Sequence, residues 1–241
     1  MTLSPNQLTA IILVGGLGTR LRSVVSNLPK PMAPIKGRPF LEYQLAFLKQ
    51  SGVTKVIFAV CYLAEIIEEH FGKDWNGIEI DYSRDETLLG TGGAIIKAAK
   101  MMPAGSTALI MNGDTYFPIS LSKMLDRHIS TKASISIAMF ESDEARRYSP
   151  FSVSKDMKIA TTSDENSRLK SGGIYIISGD VMADLRKRPV VKTSFEDNLT
   201  PEYLAENCSM FAYVEPCAFI DIGVPTDFAR AGQIVVLPDV G

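Results

Sequence analysis

The residues Gly15-Gly16-Leu17-Gly18-Thr19-Arg20-Leu21, with Pro29-Lys30-Pro31-Met32 soon after them, have the types and spacing to hold phosphates. Backbone N–H groups of a glycine-rich loop can crowd around an anion. Arg20 and Lys30 add two cations, and the prolines flanking Lys30 keep it on a stiff, extended segment. Together these features describe a site for a polyphosphate with a second phosphate beside it. Two commoner phosphate loops are excluded. Gly16-Leu17-Gly18-Thr19-Arg20-Leu21 has leucine where the dinucleotide fingerprint needs its third glycine. Gly18-Thr19-Arg20 lacks the Gly-Lys-Ser/Thr ending of the Walker loop.

Two aspartates could complete such a site. Asn112-Gly113-Asp114 directly follows the apolar run Ala108-Leu109-Ile110-Met111, and Asp221 lies at the end of another short apolar run with Gly223 close behind. Mg²⁺ favours one or two carboxylates plus water and substrate phosphates, which two aspartates from distant segments would satisfy. Each aspartate taken alone is also a common turn residue before glycine.

These groups need a scaffold that brings distant segments to one edge. Ala10-Ile11-Ile12-Leu13-Val14, Val56-Ile57-Phe58-Ala59-Val60 and Ala108-Leu109-Ile110-Met111 have the length and branching of buried parallel strands. Between them, Phe40–Leu48 and Ala64–Phe71 carry apolar residues at helical spacing, and Ala94–Lys100 is expected to be helical after the glycines at 90–93. This alternation predicts an α/β fold with a doubly wound, mainly parallel sheet, whose ligands lie at the carboxyl ends of the strands. The second half is less regular, with strands expected at Ala133–Met139, Gly172–Ile177, Met210–Val214 and Ala218–Asp221, a polar, charged run at Glu141–Arg147, and a last helix from Pro225 to Gln233. One domain over residues 1–241 is the simplest account, with about 1–130 as a nucleotide-binding half and about 131–241 as a substrate-side wall.

Composition excludes other classes. Lys+Arg 25 against Asp+Glu 27 gives a net charge of −2, so no basic field invites nucleic acid or an anionic membrane. Cys61, Cys208 and Cys217 show no C-x-x-C spacing, which argues against zinc or a disulfide framework and points to the cytoplasm. Met1–Gln7 does not read as a secretion signal, and no apolar run approaches the roughly 20 residues of a membrane span. Cys61 reads as a core thiol, and His70 and His128, late in their helices, as surface charges.

Five motifs in order then carry a resemblance. Gly15–Leu21 with Pro29-Lys30-Pro31-Met32, Leu89-Gly90-Thr91-Gly92-Gly93, Asn112-Gly113-Asp114, Gly172-Gly173-Ile174-Tyr175 and Asp221-Ile222-Gly223-Val224-Pro225 resemble the motif set of the sugar-1-phosphate nucleotidylyltransferases. Arg20-Leu21-Arg22-Ser23-Val24-Val25, Lys30–Ile35 and Ser194-Phe195-Glu196 are most similar to the heptose 1-phosphate guanylyltransferases within that family. The resemblance implies a Rossmann-like sheet with a smaller, irregular, β-containing sugar-binding part. It also implies attack of a sugar 1-phosphate on the α-phosphorus of GTP, with Mg²⁺ as cofactor and pyrophosphate released.

By the same resemblance, the backbone of Gly15, Gly16, Leu17, Gly18 and Thr19 holds the nucleotide, together with Gly90 and Thr91 near the base. Arg20 steadies the leaving pyrophosphate, Lys30 bridges the two reacting phosphates, and Asp114 and Asp221 hold the metal. Asn112, Gly113, Gly173 and Glu196 belong to the substrate side, Glu196 at sugar hydroxyls and Gly173 as a close backbone approach. A carboxylate could accept both N–H donors of guanine's pairing edge in one fork. Glu86, ahead of Asp85, is the candidate, although a solvated loop acid reads equally well. The chain departs from the pattern at Thr161–Lys170, where many relatives carry a Glu-Lys-Pro triplet whose lysine grips the sugar phosphate; Lys170 or Arg168 could substitute, or be a solvated cation. Three alternatives stay open: a hexose 1-phosphate with another base, a non-catalytic nucleotide-binding subunit, and a glycosyltransferase. The last usually needs an Asp-x-Asp pair where Asn112-Gly113-Asp114 offers one carboxylate. A homo-oligomer is compatible with all of these.

Overall fold

The structure is a computed structural model that describes residues 3–21, 24–25, 27–142, 151–161 and 167–236. Arg22 and Ser23, most of the charged run after Glu141, and Thr162–Asn166 lie outside the described residues. In chain order, β1 (Thr9–Leu13) is followed by the small hairpin β2 (Pro34–Ile35) and β3 (Arg38–Pro39), α1 (Phe40–Gln50), β4 (Lys55–Val60), α2 (Ala64–Phe71), β5 (Asp74–Trp75), β6 (Ile78–Arg84), α3 (Gly90–Ala99) and β7 (Ala108–Asn112). Then come β8 (Thr115–Tyr116), α4 (Leu121–Ser130), β9 (Ile135–Glu141), β10 (Ser152–Val153), β11 (Ile159–Thr161), β12 (Leu169–Ile177), α5 (Gly179–Lys187), a π turn at Phe195–Leu199, α6 (Thr200–Ala205), β13 (Met210–Val214), β14 (Ile220–Asp221) and α7 (Pro225–Ile234).

Eight strands form the main sheet in the order β13-β9-β12-β7-β1-β4-β6-β5. β7, β1, β4 and β6 are mutually parallel, and β13 is parallel to β9. β12 runs antiparallel to both neighbours, and β5 antiparallel to β6 at the edge. The parallel centre follows from strands apolar on both faces: Ala10 and Ile12 enter the core under α1 and α2, while Ile11 joins Ile57 and Ile110 under α3. The chain leaves β1 towards β4 and β6, then returns to place β7 on the other flank of β1. That reversal opens a crevice at the carboxyl ends of β1 and β7, where open α/β sheets bind ligands.

Two elements and one histidine differ from expectation. α3 starts at Gly90, so the glycines are its first turn rather than a loop before it. Glycine is a poor helix former, but tertiary packing requires it here: a Cβ on Gly93 would stand 2.4 Å from the Val191 carbonyl oxygen, and one on Gly92 2.9 Å from Leu199 Cδ1. β12 begins at Leu169, not Gly172, and its pairing to β9 shifts between Ser171 and Tyr175, where the two glycines fall. His128 is not a surface charge: it is buried, with Nδ1 2.9 Å from Ser136 Oγ.

Burial lowers the His128 pKa to about 4. The unfolded chain protonates this imidazole near pH 6.5, so between these values the unfolded state holds the extra proton. Its contribution is therefore complete above about pH 6.5 and fades as pH falls towards 4, by roughly 3 kcal/mol at most. Urea melts from pH 7 to pH 4.5 should show this slope, and His128→Gln should flatten it. Equal slopes in the two proteins would rule out His128 as the source.

Among the described residues, no helix is long and apolar enough to cross a membrane.

Candidate active site

Two strand pairings create the polar centre. Gly113 N–H donates to the Leu13 carbonyl (2.9 Å), tying the turn after β7 to the end of β1. β14 pairs antiparallel with β8, setting Asp221 opposite Thr115, and Ile222 N–H donates to the Asp114 carbonyl (2.9 Å). Aspartates 107 positions apart in sequence (221 less 114) thus become neighbours. Lys30, in a short helical turn between its prolines, places Nζ 2.5 Å from Asp114 Oδ2 and 3.4 Å from Asp221 Oδ1. The lysine side chain is only 9 % exposed, against 37 % for Asp114, so the ammonium is sunk below a carboxylate that still faces solvent.

Gly223 closes this centre. Its N–H donates to Asp221 Oδ1 (2.6 Å), and its Cα faces Lys30 Nζ and Arg20 Nη2 so closely that a Cβ would stand 2.9 and 3.3 Å from them. Arg20 is exposed and makes no ion pair among the described residues, which leaves a free cation at the rim. Gly18 has φ +57, and a Cβ there would press on Lys30 Cβ at 3.0 Å, so glycine is required both by backbone and by contact. Arg20, Lys30, Asp114, Gly18 and Gly223 line one recess of about 180 Å³. Two converging carboxylates beside two cations suit a hard cation that takes its remaining ligands from water and phosphate. No group of three or more His, Cys, Asp or Glu side chains among the described residues offers a protein-only metal cage.

A larger cleft of about 490 Å³ joins the recess at Asp114 and the glycine loop. Gly15, Gly16, Leu17, Gly18 and Thr19 form one wall; Leu88, Leu89, Gly90, Thr91 and Ala94 form the other, with Asn112 at the floor. Leu17 and Leu88 are exposed apolar side chains at this cleft, able to cover the faces of a flat ring. Asp85 lines it too, buried to 7 % exposure, whereas Glu86 is exposed and outside the lining. Cys61 is another wall residue; burial and the Asp85 carboxylate push its thiol pKa up while Lys97 draws it down.

The second-half residues stand on the far flank. Glu196 accepts from Thr91 Oγ1 (2.7 Å) and from the Tyr175 hydroxyl (3.0 Å), so its carboxylate is fixed beside the start of α3. Burial drives the Tyr175 ionisation well above its ordinary range, which keeps that hydroxyl a donor. Gly173, at φ +75, lets β12 pass Asn112, whose Nδ2 would lie 2.7 Å from a Cβ. Lys170 is buried with Nζ donating to the Ser167 carbonyl (2.8 Å), and the Arg168 side chain is exposed near Glu141; neither lines the cleft.

Some contributors had no reading as site residues. Gln44, on α1, donates Nε2 to the carbonyls of Asn112 (2.8 Å) and Thr115 (2.6 Å), pinning both ends of the turn that carries Asp114. An amide flanked by the apolar Tyr43 and Leu45 of that helix was the available signal. Lys192 lines the cleft from the segment held to α3 by the Thr193 N–H to Leu89 carbonyl bond (2.9 Å), and no local spacing announces it.

Residues 9–236 match the nucleotidyl transferase family. The chain is 41% identical over 226 residues to D-glycero-alpha-D-manno-heptose 1-phosphate guanylyltransferase of Aneurinibacillus thermoaerophilus, covering 92% of this chain and 96% of that one. It is 30% identical over 240 residues to mannose-1-phosphate guanylyltransferase of Mycobacterium tuberculosis, spanning 97% of this chain and 66% of the other. The crystal structure of HddC from Yersinia pseudotuberculosis complexed with GMP-PN superposes with a TM-score of 0.80 at 31% identity, over 94% of this chain and 98% of that one.

Proposed function

Because the chain belongs to the nucleotidyl transferase family, we propose that it transfers GMP from GTP to D-glycero-α-D-manno-heptose 1-phosphate, releasing pyrophosphate. The observation that carries this reading is the Lys30 ammonium of the recess, set between Asp221 and Asp114, the carboxylate that lines both recess and cleft. In the reaction, an oxygen of the sugar phosphate forms a bond to the α-phosphorus while the bond from that phosphorus to the β-phosphate bridging oxygen breaks. No covalent enzyme intermediate is needed, so the protein's work is positioning and neutralisation of charge.

On this reading the nucleoside fills the larger cleft, with the N–H groups of Gly15–Thr19 along the phosphates and Gly90 and Thr91 beside the base. Arg20 neutralises the pyrophosphate, and Lys30 holds the attacking and α-phosphates together. Asp114 and Asp221 would hold Mg²⁺, which when bound spreads and screens phosphate charge. Asp85, inside the cleft wall, suits the guanine edge better than the exposed Glu86. Asn112, Gly113, Gly173 and Glu196 face the sugar, making residues beyond about 130 the sugar-phosphate half. The cytoplasm, where both substrates are made, is the compartment this reaction needs, and a homo-oligomer would not obstruct it.

The test is pyrophosphate release from GTP, Mg²⁺ and the heptose 1-phosphate, run beside mannose 1-phosphate, the substrate named for the 30% identical relative. Asp114→Asn should lower turnover about a hundredfold or more with folding intact. No pyrophosphate with either sugar, or full activity in Asp114→Asn, would defeat the assignment.

A further inference from the structure

We propose that Lys97 is a positioning residue for base selection, clamping Asp85 so that its carboxylate stands as an acceptor for a guanine edge. The inference rests on reading the larger cleft as the guanine nucleotide site.

Asp85 follows directly on β6, and its N–H donates to the Val60 carbonyl (2.9 Å), so its backbone is an extension of the β4–β6 ladder. Its side chain is 5 % exposed and lines the cleft. Oδ1 is buried and faces the Lys97 ammonium, its ion-pair partner, at 2.9 Å. With Oδ1 held by the ammonium, the carboxylate is fixed in one orientation at the cleft wall. Guanine offers N1–H and the 2-amino group side by side, donors that a carboxylate oxygen accepts.

Lys97 holds this segment at two points. Besides the ion pair, Nζ donates to the carbonyl of Arg84, the residue just before Asp85. It sits on α3 one turn beyond Ala94, which itself lines the cleft. One ammonium therefore fixes both the loop backbone and the carboxylate relative to the helix whose first turn borders the base. Lys97 is 37 % exposed and outside the cleft lining, so it acts through Asp85 and not on the nucleotide. Without it, a buried carboxylate loses its counter-charge and turns towards solvent.

GTP and ITP binding to the full chain, measured by calorimetry, tests this, because ITP lacks the 2-amino donor. Wild type should favour GTP by roughly tenfold or more, since a site built to pair a polar group rejects an analogue without it. Asp85→Asn should erase most of that ratio. Lys97→Met should weaken GTP severalfold more than ITP, and Lys97→Arg should restore the ratio; a melting curve of each variant separates general loosening, which would weaken both nucleotides alike. A wild-type ratio in Lys97→Met, with the ratio lost in Asp85→Asn, overturns the role of Lys97 alone. A wild-type ratio in Asp85→Asn, or no preference in the wild type, overturns the base-reading role of Asp85 and the clamp with it.

Discussion

Lys30→Met is expected to lower turnover by about a hundred- to a thousandfold, the range seen when one preorganised electrostatic group is removed. Methionine preserves most of the stem that packs beside Gly18, where a Cβ would already touch Lys30 Cβ at 3.0 Å, so the loss falls on the charge. That charge is buried between Asp114 Oδ2 at 2.5 Å and Asp221 Oδ1 at 3.4 Å. Its removal leaves two converging carboxylates to repel each other, and breaking a buried ion pair by deleting one partner is destabilising. Asp114 can relieve part of this, being 37 % exposed. The metal-free variant should therefore melt a few degrees lower, and Mg²⁺ should raise its melting temperature more than it raises that of the wild type, because the cation takes over the neutralising role. Turnover should stay low at saturating Mg²⁺, since the ion cannot replace an ammonium that bridges two phosphates. Pyrophosphate release within severalfold of wild type, or a melting temperature indifferent to Mg²⁺, would show that Lys30 does not anchor the reacting phosphates.

Much of this centre is visible in the sequence because it lies at strand ends. An apolar run that empties into Gly15-Gly16, and another that empties into Asn112-Gly113-Asp114, announce the carboxyl edge of a parallel sheet without any tertiary information. What stays hidden depends on which element covers which face. Glu79, Asp81 and Ser83 of β6 and Asp85 just past it share one parity and look solvent-facing, yet α3 lies across the far end of the strand and buries Ser83 and Asp85 while leaving Glu79 exposed. Parity alone could separate Asp85 from Glu86; only α3 decides which of them faces the cleft. The glycines at 90–93 read as loop because propensity is local, whereas the segment at 191–195 that demands them arrives from a hundred residues away. The antiparallel entry of β12 between β7 and β9 likewise has no local signature, since its apolar residues would serve either direction. His128 follows the same logic: its place late in α4 suggests a charge at a helix end, and the sheet beneath makes it a neutral core residue.

Gly223→Ala should separate catalysis from folding more sharply than any change to a charged group. A Cβ at this position would meet Asp221 Oδ1 at 2.7 Å, Lys30 Nζ at 2.9 Å and Arg20 Nη2 at 3.3 Å. All three are ends of side chains that can move aside, and Gly223 does not hold a left-handed backbone angle, so alanine costs the fold little. The displaced atoms are, however, the charged groups that must meet both phosphates. A misplacement of about 1 Å can cost on the order of a hundredfold in rate. Turnover should fall by about that factor, with KM for GTP much less affected because the nucleoside cleft does not include Gly223. Gly113→Ala is the counterpart: its Cβ would lie 2.6 Å from the Leu13 carbonyl oxygen, in the main chain of the central strand, where nothing flexible can yield. That variant should melt several degrees lower, whereas Gly223→Ala should melt within about a degree of wild type. Wild-type turnover in Gly223→Ala, or a loss of stability as large as that of Gly113→Ala, would mean that the glycine serves the chain path and not the spacing of the three charges.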